Sequence, residues 1–485
     1  MKNPHSPPSP QPPTGVFLAS ALLALATLSG CADMSGIAPR AQLRDARATG
    51  LQAGASFEAP QDWWRGFGDA QLDALMDQAL AGNPGLAQAG ARVARAQAFA
   101  DQAQATQGPR LDAGLDASRQ RYSANGLYPP GVAGATIGVE TARLTGSWEL
   151  DFFGKNRAAL QAALGQAEAA HADAQAARLL LASRVAQGYF QLARLQAQQA
   201  VAARTLAQRE EMLRLVQRRL GAGLDTRLEL RQSQGALPEA RQQIEALREQ
   251  EALARNALGA LISDQETAQA ITPKALTAIR QIAIPSHIPA DLLGRRPDVA
   301  AARWRVEAAM DDVAVARAQF YPNVSLTAFV GLSSIVLDRF IEAGSREWSA
   351  GPALRLPLFD SGRLRANLRG KTADLDTAVE SYNAALLEAV RDAADQLASG
   401  ASIERQIAQQ RQAGAAAEDA YAIAQKRYDA GLANYLQVLA AETQVLAQRR
   451  QAVDLAARRL DNQAAAMRAL GGGFAAPLPV ATAQH

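Results

Sequence analysis

The residue types that usually carry catalysis or bind metals are few in this chain and lie far apart. The four histidines of its 485 residues are His5, His171, His287 and His485. No two of them have the spacing that places two imidazoles on one face of a helix as metal ligands. Residues 221–226, GAGLDT, begin like a dinucleotide-binding loop, but they lack its third glycine and follow a helical pattern instead of a strand. The sequence therefore predicts no enzyme, no cofactor and no metal site.

Cys31 is the one cysteine, and its surroundings indicate attachment of lipid. Residues 16–30 form an apolar run that is shorter than the ~20 residues of a membrane-spanning helix and is typical of a signal peptide. The ending LSGC, residues 28–31, resembles the lipobox of bacterial lipoproteins, which implies that Cys31 is acylated, palmitate included, and becomes the new N-terminus. Ala32 replaces the aspartate that would indicate retention in the inner membrane. We therefore expect a lipid anchor in the outer membrane, extending into the periplasm.

The composition favours long helices over compact globular domains. Hydrophobic residues make up 48% of the chain but aromatic residues only 5%, so alanine supplies much of the apolar content. Alanine and unbranched side chains lose little entropy in a helix. The net charge of +3 is nearly balanced, and the chain lacks the basic stripe that nucleic-acid binders carry, so nucleic acid is not an expected partner.

Three landmarks recur in the same order roughly 200 residues apart, which indicates an internal duplication. The matching pairs are QRRLGAGL at 217–224 with QKRYDAGL at 425–432, Asn83-Pro84 with Arg296-Pro297, and FGKNR at 153–157 with FDSGR at 359–363. A solenoid repeat is far shorter than this period. The sequence therefore predicts two copies of one structural unit.

Each copy contains two segments in which apolar and polar residues alternate. They are 111–118 and 142–152 in the first copy, and 324–332 and 348–358 in the second. Alternation with a period of two places one set of side chains on each face of a sheet. The apolar face points inward in a soluble sandwich and toward lipid in an outer-membrane barrel, so the alternation is compatible with both. The lipobox, and the lack of further strands to pack against, favour the barrel.

Four strands cannot close a barrel alone, because single-chain barrels begin at about eight strands. Each backbone group left unpaired at an open edge in lipid costs several kcal/mol. We therefore expect oligomerisation, and three copies would supply about twelve strands.

Helical patterns surround the strand pairs. The expected helices are 86–107, 156–220 and 226–261 in the first copy, and 299–320, 364–428 and 434–470 in the second. The two longest would extend on the order of 100 Å each at 1.5 Å per residue. A heptad seam, running from Leu181 to Leu220 in the first copy, predicts coiled-coil packing, and its Ala, Gly and Gln content suits a hollow cylinder. A solvated single coiled coil is the alternative, which leaves the strands unexplained.

Four motifs, taken in order with the duplication, resemble the TolC-type outer membrane factor family and its NodT-like lipoprotein branch. They are WWRGFGD at 63–69, WELDFFG at 148–154, LLGRRPD at 292–298 and PLFDSG at 357–362. The resemblance covers almost all of the mature chain. It implies a mainly α fold with membrane β: a trimeric 12-stranded β-barrel that continues into a long periplasmic α-helical barrel, with two pseudo-repeats per chain.

The expected domain organisation follows from the signal, the motifs and the duplication. It comprises a lipoprotein signal peptide (1–30), a lipid-anchored segment (31–68), a first repeat (69–275, strand pair about 110–152), a linker (276–290), a second repeat (291–472, strand pair about 323–359) and a tail (473–485).

The resemblance also implies where partners and a gate lie. Adaptor hairpins dock at the glycine turns, here Gly223, Leu224, Gly431 and Leu432. A gating tyrosine falls at Tyr428, although ordinary packing at a helix end explains this residue equally well. The acidic residues expected near the second turn are replaced by Gln437 and Ala440, which counts against an aspartate ring there, and Glu229 is a candidate for part of the missing charge.

The function implied is that of a passive exit duct in a tripartite efflux pump. Small molecules, drugs among them, would be expelled by an inner-membrane transporter of the resistance-nodulation-division type through a periplasmic adaptor protein, with a homotrimer of this chain in outer-membrane lipid. Two alternatives stay open: the exit duct of a type I protein secretion system, and a periplasmic coiled-coil adaptor or scaffold lipoprotein.

Overall fold

A computed structural model describes residues 34–44, 59–285, 287 and 294–474, and within these ranges the chain forms two compact units. The strand unit comprises Arg95–Ala167 and Trp304–Glu380, together with residues 34–42. The hairpin unit comprises Glu168–Arg303 and the described parts of 43–94 and 381–485. Cys31 and the expected signal peptide lie outside the described residues.

The helices and strands follow the duplicated order predicted from the sequence. In the first copy they are α1 (Ala70–Gly82), α2 (Pro84–Ala105), β1 (Arg110–Arg121), β2 (Thr136–Leu150), α3 (Lys155–Gly221), α4 (Arg227–Ile262) and α5 (Gln265–Ala270). In the second copy they are α6 (Pro297–Ala318), β3 (Asn323–Ser334), β4 (Arg346–Arg355), α7 (Arg363–Asp429) and α8 (Tyr435–Ala469). None of the described helices is long and apolar enough to cross a membrane.

The four strands form one antiparallel sheet in the order β1-β2-β3-β4. The register pairs Leu144 with Val330 and Trp148 with Leu326, so the apolar residues of neighbouring strands lie on the same face. Glu149 and its partner Ser325 lie on the other face. The predicted division into an apolar and a polar face is therefore confirmed for the central pair of strands.

Two strand ends differ from the sequence-based expectation. The strand β2 ends at Leu150 because the Asp151 carboxylate accepts hydrogen bonds from the backbone N–H groups of Asn156 (3.2 Å) and Arg157 (2.9 Å) and so begins the next helix. The strand β4 ends at Arg355, two residues before Pro357, and it includes a proline, Pro352, opposite Leu326 of β3.

Between Leu181 and Leu220 of α3, each residue of the heptad seam is buried or half-buried, as the heptad pattern predicts. Around it, the hairpin unit has an aromatic core in which the Phe67 and Phe190 ring centroids are 4.8 Å apart. The hydroxyl of buried Tyr189 donates to the Asp69 carboxylate at 2.6 Å. Burial and this hydrogen bond raise the pKa of Tyr189, so the hydroxyl keeps its proton and anchors the N-cap residue of α1.

Candidate gate at the hairpin turns

Both long helices end in the same type of turn. After α3, Gly223 adopts a φ of 73°, and the N–H of Leu224 donates to the Arg219 carbonyl at 2.8 Å. After α7, Gly431 adopts a φ of 75°, and the N–H of Leu432 donates to the Arg427 carbonyl at 2.8 Å. This six-to-one bond with a left-handed glycine is the Schellman motif, which satisfies carbonyls that the helix end leaves free. The two copies of the duplication therefore share the same backbone geometry and hydrogen bond at their turns.

The turns present leucine side chains to solvent. Leu224 and Leu432 follow the two glycines and are 65% and 70% exposed. One helical turn further, Leu228 and Leu436 are also exposed. The four predicted docking residues thus lie at two equivalent turns, each with exposed leucine side chains.

Tyr428 connects the two hairpins within the hairpin unit. Its side chain is fully buried, and its hydroxyl donates to the Asp225 carboxylate, which lies in the turn between α3 and α4. The Arg219 guanidinium lies 4.5 Å from the Tyr428 ring centroid and donates to the Tyr428 carbonyl at 2.9 Å. Burial and the bond to Asp225 raise the pKa of Tyr428. The hydroxyl therefore stays protonated and available as a donor at physiological pH.

Arg219 and Asp225 complete this cluster, and neither was predicted as a site residue. Their side chains approach to 3.3 Å, and both are largely buried. Opposite charges on the two sides of a glycine turn are a signal that could have indicated their pairing. The contact with Tyr428 has no local signal, because Asp225 and Tyr428 are 203 positions apart in the chain.

The other predicted gate residues do not join the Tyr428 cluster. The Glu229 carboxylate accepts a hydrogen bond from the Thr226 backbone N–H at 2.9 Å in a capping box. Hydrogen bonding from the Thr226 side chain lowers the pKa of Glu229, which is exposed. Gln437 and Ala440 are exposed, and the Gln437 backbone N–H donates to the Asn434 side chain at 3.2 Å. Thr226 and Asn434 are thus the equivalent N-cap residues of α4 and α8, and Glu229 and Gln437 lie at equivalent positions in the first turns of these helices.

The family model of outer membrane efflux proteins matches residues 75–263 and 288–472, one match for each copy of the duplication. The fusaric acid resistance protein FusA of Burkholderia cepacia is 38% identical over 75% of this chain and 70% of its own length. The multidrug resistance outer membrane protein MdtP of Escherichia coli K12 is 33% identical over 95% of this chain and 97% of its own.

Solved channel structures share the fold. The outer membrane protein VceC of Vibrio cholerae is 36% identical, aligns over 86% of this chain and all of its own, and has a TM-score of 0.81. The outer-membrane channel OprN is 28% identical over 90% of this chain and 97% of its own, with a TM-score of 0.80.

These similarities confirm the predicted family, fold class and efflux function. The matched proteins are channels, which confirms that the chain is not an enzyme and excludes the adaptor or scaffold alternative. The outer membrane is likewise confirmed as its location at the level of the family. The chain belongs to the outer membrane efflux protein family.

Proposed function

We propose that three copies of this chain form the exit duct of a tripartite pump that expels small toxic molecules. An inner-membrane transporter of the resistance-nodulation-division type would deliver the cargo through a periplasmic adaptor. The small-molecule cargo is supported by the names of the relatives, which refer to fusaric acid resistance, multidrug resistance and, for OpmQ of Pseudomonas aeruginosa, pyoverdine export. Nothing in the described residues favours protein secretion over this function.

The observation that carries the proposal is the open sheet. Among the described residues, β1 pairs only with β2, and β4 pairs only with β3, so each has one edge with no strand beside it. These edges are 12 and 10 residues long. Lipid offers no hydrogen bonds to such an edge, so β1 of one copy must pair with β4 of the next.

A comparison of the two equivalent helices α2 and α6 also supports assembly from several copies. In the strand unit, α6 is covered by α3 at Ala308, which lies against Gly165, and by α7 through a 2.9 Å bond from Lys371 to Asp312. Its counterpart α2 has the same length and also begins with proline, yet Ala100 is its one buried residue. A neighbouring copy would supply the cover that α2 lacks in its own chain.

The closed state of the duct would be held by the Tyr428 cluster. Asp225 and Arg219 belong to the first hairpin and Tyr428 to the second, so the hairpins cannot separate until these bonds break. The exposed Leu224 and Leu432 turns would receive the adaptor, whose binding can offset the loss of the cluster. Docking and gating therefore share the same turns.

A lipid anchor at Cys31 would hold the trimer at the membrane. The first described segment after this cysteine is already fixed to α7, because the Asp376 carboxylate accepts bonds from the backbone N–H groups of Arg40 (2.8 Å) and Ala41 (2.9 Å). The Ser35 carbonyl accepts a bond from Arg365 at 3.2 Å. The anchor would therefore be attached beside the first turns of α7.

The test is the assembly state and conductance of the full-length protein. Purified from outer membranes in mild detergent, it should run as a heat-sensitive trimer and form ion channels in planar lipid bilayers. Expression should restore resistance to several drugs in a strain that lacks its own exit duct. A stable, soluble monomer without channel activity would contradict the proposal.

A further inference from the structure

The two hairpins are also joined at a second level, farther from the turns than the Tyr428 cluster. Both carboxylate oxygens of Glu442 on α8 accept bonds from Nε of Arg209 on α3, each at 3.3 Å. The two side chains are 10% and 12% exposed. This ion pair is deeply buried and joins two separate hairpins, yet it has no part in the gating proposed for the turns.

Each partner is held firmly by its own hairpin. The Arg209 guanidinium also donates to the Ala236 carbonyl on α4 at 3.0 Å, so it is bound to both helices of the first hairpin. The backbone of Glu442 lies in the interior of α8, and its side chain is among the buried polar groups of the unit. Separation of the hairpins must therefore break the Arg209–Glu442 bond, because neither side chain can follow the other.

Arg449 adds a second bond at this level. Its Nε and Nη2 donate to the Glu418 carboxylate of α7 at 2.6 and 2.8 Å, which ties the guanidinium to the second hairpin. Its Nη1 donates to Gln208 of α3 at 3.1 Å. Gln208 and Arg209 are neighbours in α3, so both bonds between the hairpins involve the same turn of α3. We call Arg209, Glu442, Arg449, Gln208 and Glu418 the collar.

The collar is separate from the turns. Arg209 precedes Gly223 by 14 residues (223 − 209), which is about 21 Å along α3 at 1.5 Å per residue. A hydrophobic cluster shared by the two hairpins lies at the same end of the unit; its buried members include Met212, Val216, Val438 and Val445. The two polar levels are thus distinct groups of residues.

We propose that the collar is a second lock, and that the duct opens only when the collar and the Tyr428 cluster both separate. This inference rests on the proposed gating at the turns. Removal of the Glu442 charge leaves the buried Arg209 cation with only the exposed Glu239 carboxylate of its own hairpin, at 3.6 Å, while the hairpins are together. Water can reach the cation once the hairpins part. Since a buried charge that loses its buried partner is strongly unfavourable, loss of Glu442 or Arg209 shifts the equilibrium toward the open state.

The experiment measures the open fraction of full-length trimers in planar bilayers. Glu442→Gln should raise the open fraction at least about tenfold, which corresponds to about 1.4 kcal/mol. Glu210→Gln is the matched control, because Glu210 neighbours Arg209 but pairs at 3.3 Å with Arg241 of its own hairpin. This control should leave the open fraction unchanged. The combined exchange Arg209→Glu with Glu442→Arg should return the open fraction toward the wild-type value.

Two further variants separate failure of the collar from failure of the proposed gate. If Tyr428→Phe opens the channel and Glu442→Gln behaves like Glu210→Gln, the collar is refuted and the gate at the turns stands. If Tyr428→Phe leaves the channel closed while Glu442→Gln opens it, the gate fails and the collar alone holds the duct. A combined charge exchange that stays as open as Glu442→Gln would show that packing, and not the ion pair, is responsible, and would overturn the inference.

Discussion

At the scale of single residues, the two acidic side chains at the first turn have different roles. Asp225 is buried and binds Tyr428 of the other hairpin, whereas Glu229 is exposed and caps its own helix. The family resemblance indicated Glu229 because it placed a charge at a fixed distance beyond the glycine. Of these two carboxylates, only that of Asp225 lies between the hairpins.

Asp225→Asn and Glu229→Gln therefore distinguish the two carboxylates. A hydrogen bond to a charged group contributes about 1.5–3 kcal/mol, so we expect Asp225→Asn to raise the open fraction roughly tenfold or more. Glu229→Gln keeps a side chain that can cap α4 and should leave the open fraction near that of the wild type. Single-channel recordings of both variants provide the measurement, and equal effects would contradict the assignment.

Asp461 gives the hairpin unit a pH-dependent stability. Burial raises the pKa of this carboxyl from 3.8 to about 7, against the opposing effect of Arg194. A raised pKa means that the folded state binds the proton more tightly than the unfolded state. The contribution of this carboxyl to stability is therefore fully present at acidic pH, and it is lost as the pH rises from about 4 to about 7.

Asp461→Asn removes this penalty, because the amide is neutral at every pH. Each unit of pKa shift corresponds to about 1.4 kcal/mol, so the variant should be more stable than the wild type by about 2 kcal/mol or more at pH 8. At pH 4 the difference should vanish. Thermal unfolding followed by circular dichroism measures both, with Asp419→Asn at an exposed position of α7 as the control. A difference that is the same at both pH values would contradict the role of Asp461.

At the scale of helices and strands, glycine positions predict the ends of the long helices more accurately than the hydrophobic pattern predicts the ends of the strands. Gly223 and Gly431 end the long helices because their turns require a positive φ, and each predicted helix end lies within a few residues of the observed one. The start of β2 was missed. The prediction began at residue 142, whereas the strand begins at Thr136.

The reason is a change of face near the start of β2. Ile137 and Val139 lie at odd positions of β2, on the same face as Arg143, whereas Ala142 and Leu144 lie on the apolar face. The alternation of apolar and polar residues therefore changes phase between Val139 and Ala142, and a rule that seeks one apolar face stops there. The hydrogen bonds with β1 continue to Arg121 regardless of side-chain polarity.

The exposed leucines at the turns give a test of docking at this scale. Leu432→Glu places a charge on the apolar surface but leaves the Gly431 turn, whose bonds use only the backbone. We expect weaker cross-linking to the adaptor and increased drug susceptibility, with normal amounts of trimer. Leu127→Glu, in the exposed loop between β1 and β2, is the matched control. Unchanged susceptibility in an efflux-dependent strain would count against docking at the second turn.

At the scale of the whole molecule, the sequence predicts the need for partners better than it predicts their contacts. Counting strands was enough to require several copies. The surfaces that meet could not be predicted, because α2 and α6 have equivalent places in the duplication and both are predicted as helices of the same length. Only the structure shows that α6 finds its cover within the chain and that α2 does not.

Phe99 is the residue of α2 on which this difference can be tested. Its ring is 53% exposed, with the Arg95 guanidinium 5.4 Å from the ring centroid. In the second copy the equivalent helix uses Asp312 to bind Lys371 of its own chain. A phenylalanine left in solvent on a helix whose counterpart is packed indicates a surface that another copy covers.

Phe99→Glu should therefore prevent assembly without unfolding the chain. The side chain makes little contact within its own copy, so the far-ultraviolet circular dichroism of the variant should match the wild type. In the trimer the same carboxylate would be buried without a partner, at a cost that can exceed the free energy of association. Chemical cross-linking of outer membranes should show loss of the trimer, whereas Leu127→Glu keeps it. A Phe99→Glu trimer as heat-stable as the wild type would show that α2 faces solvent in the assembled duct, and that the copies meet through the sheet edges alone.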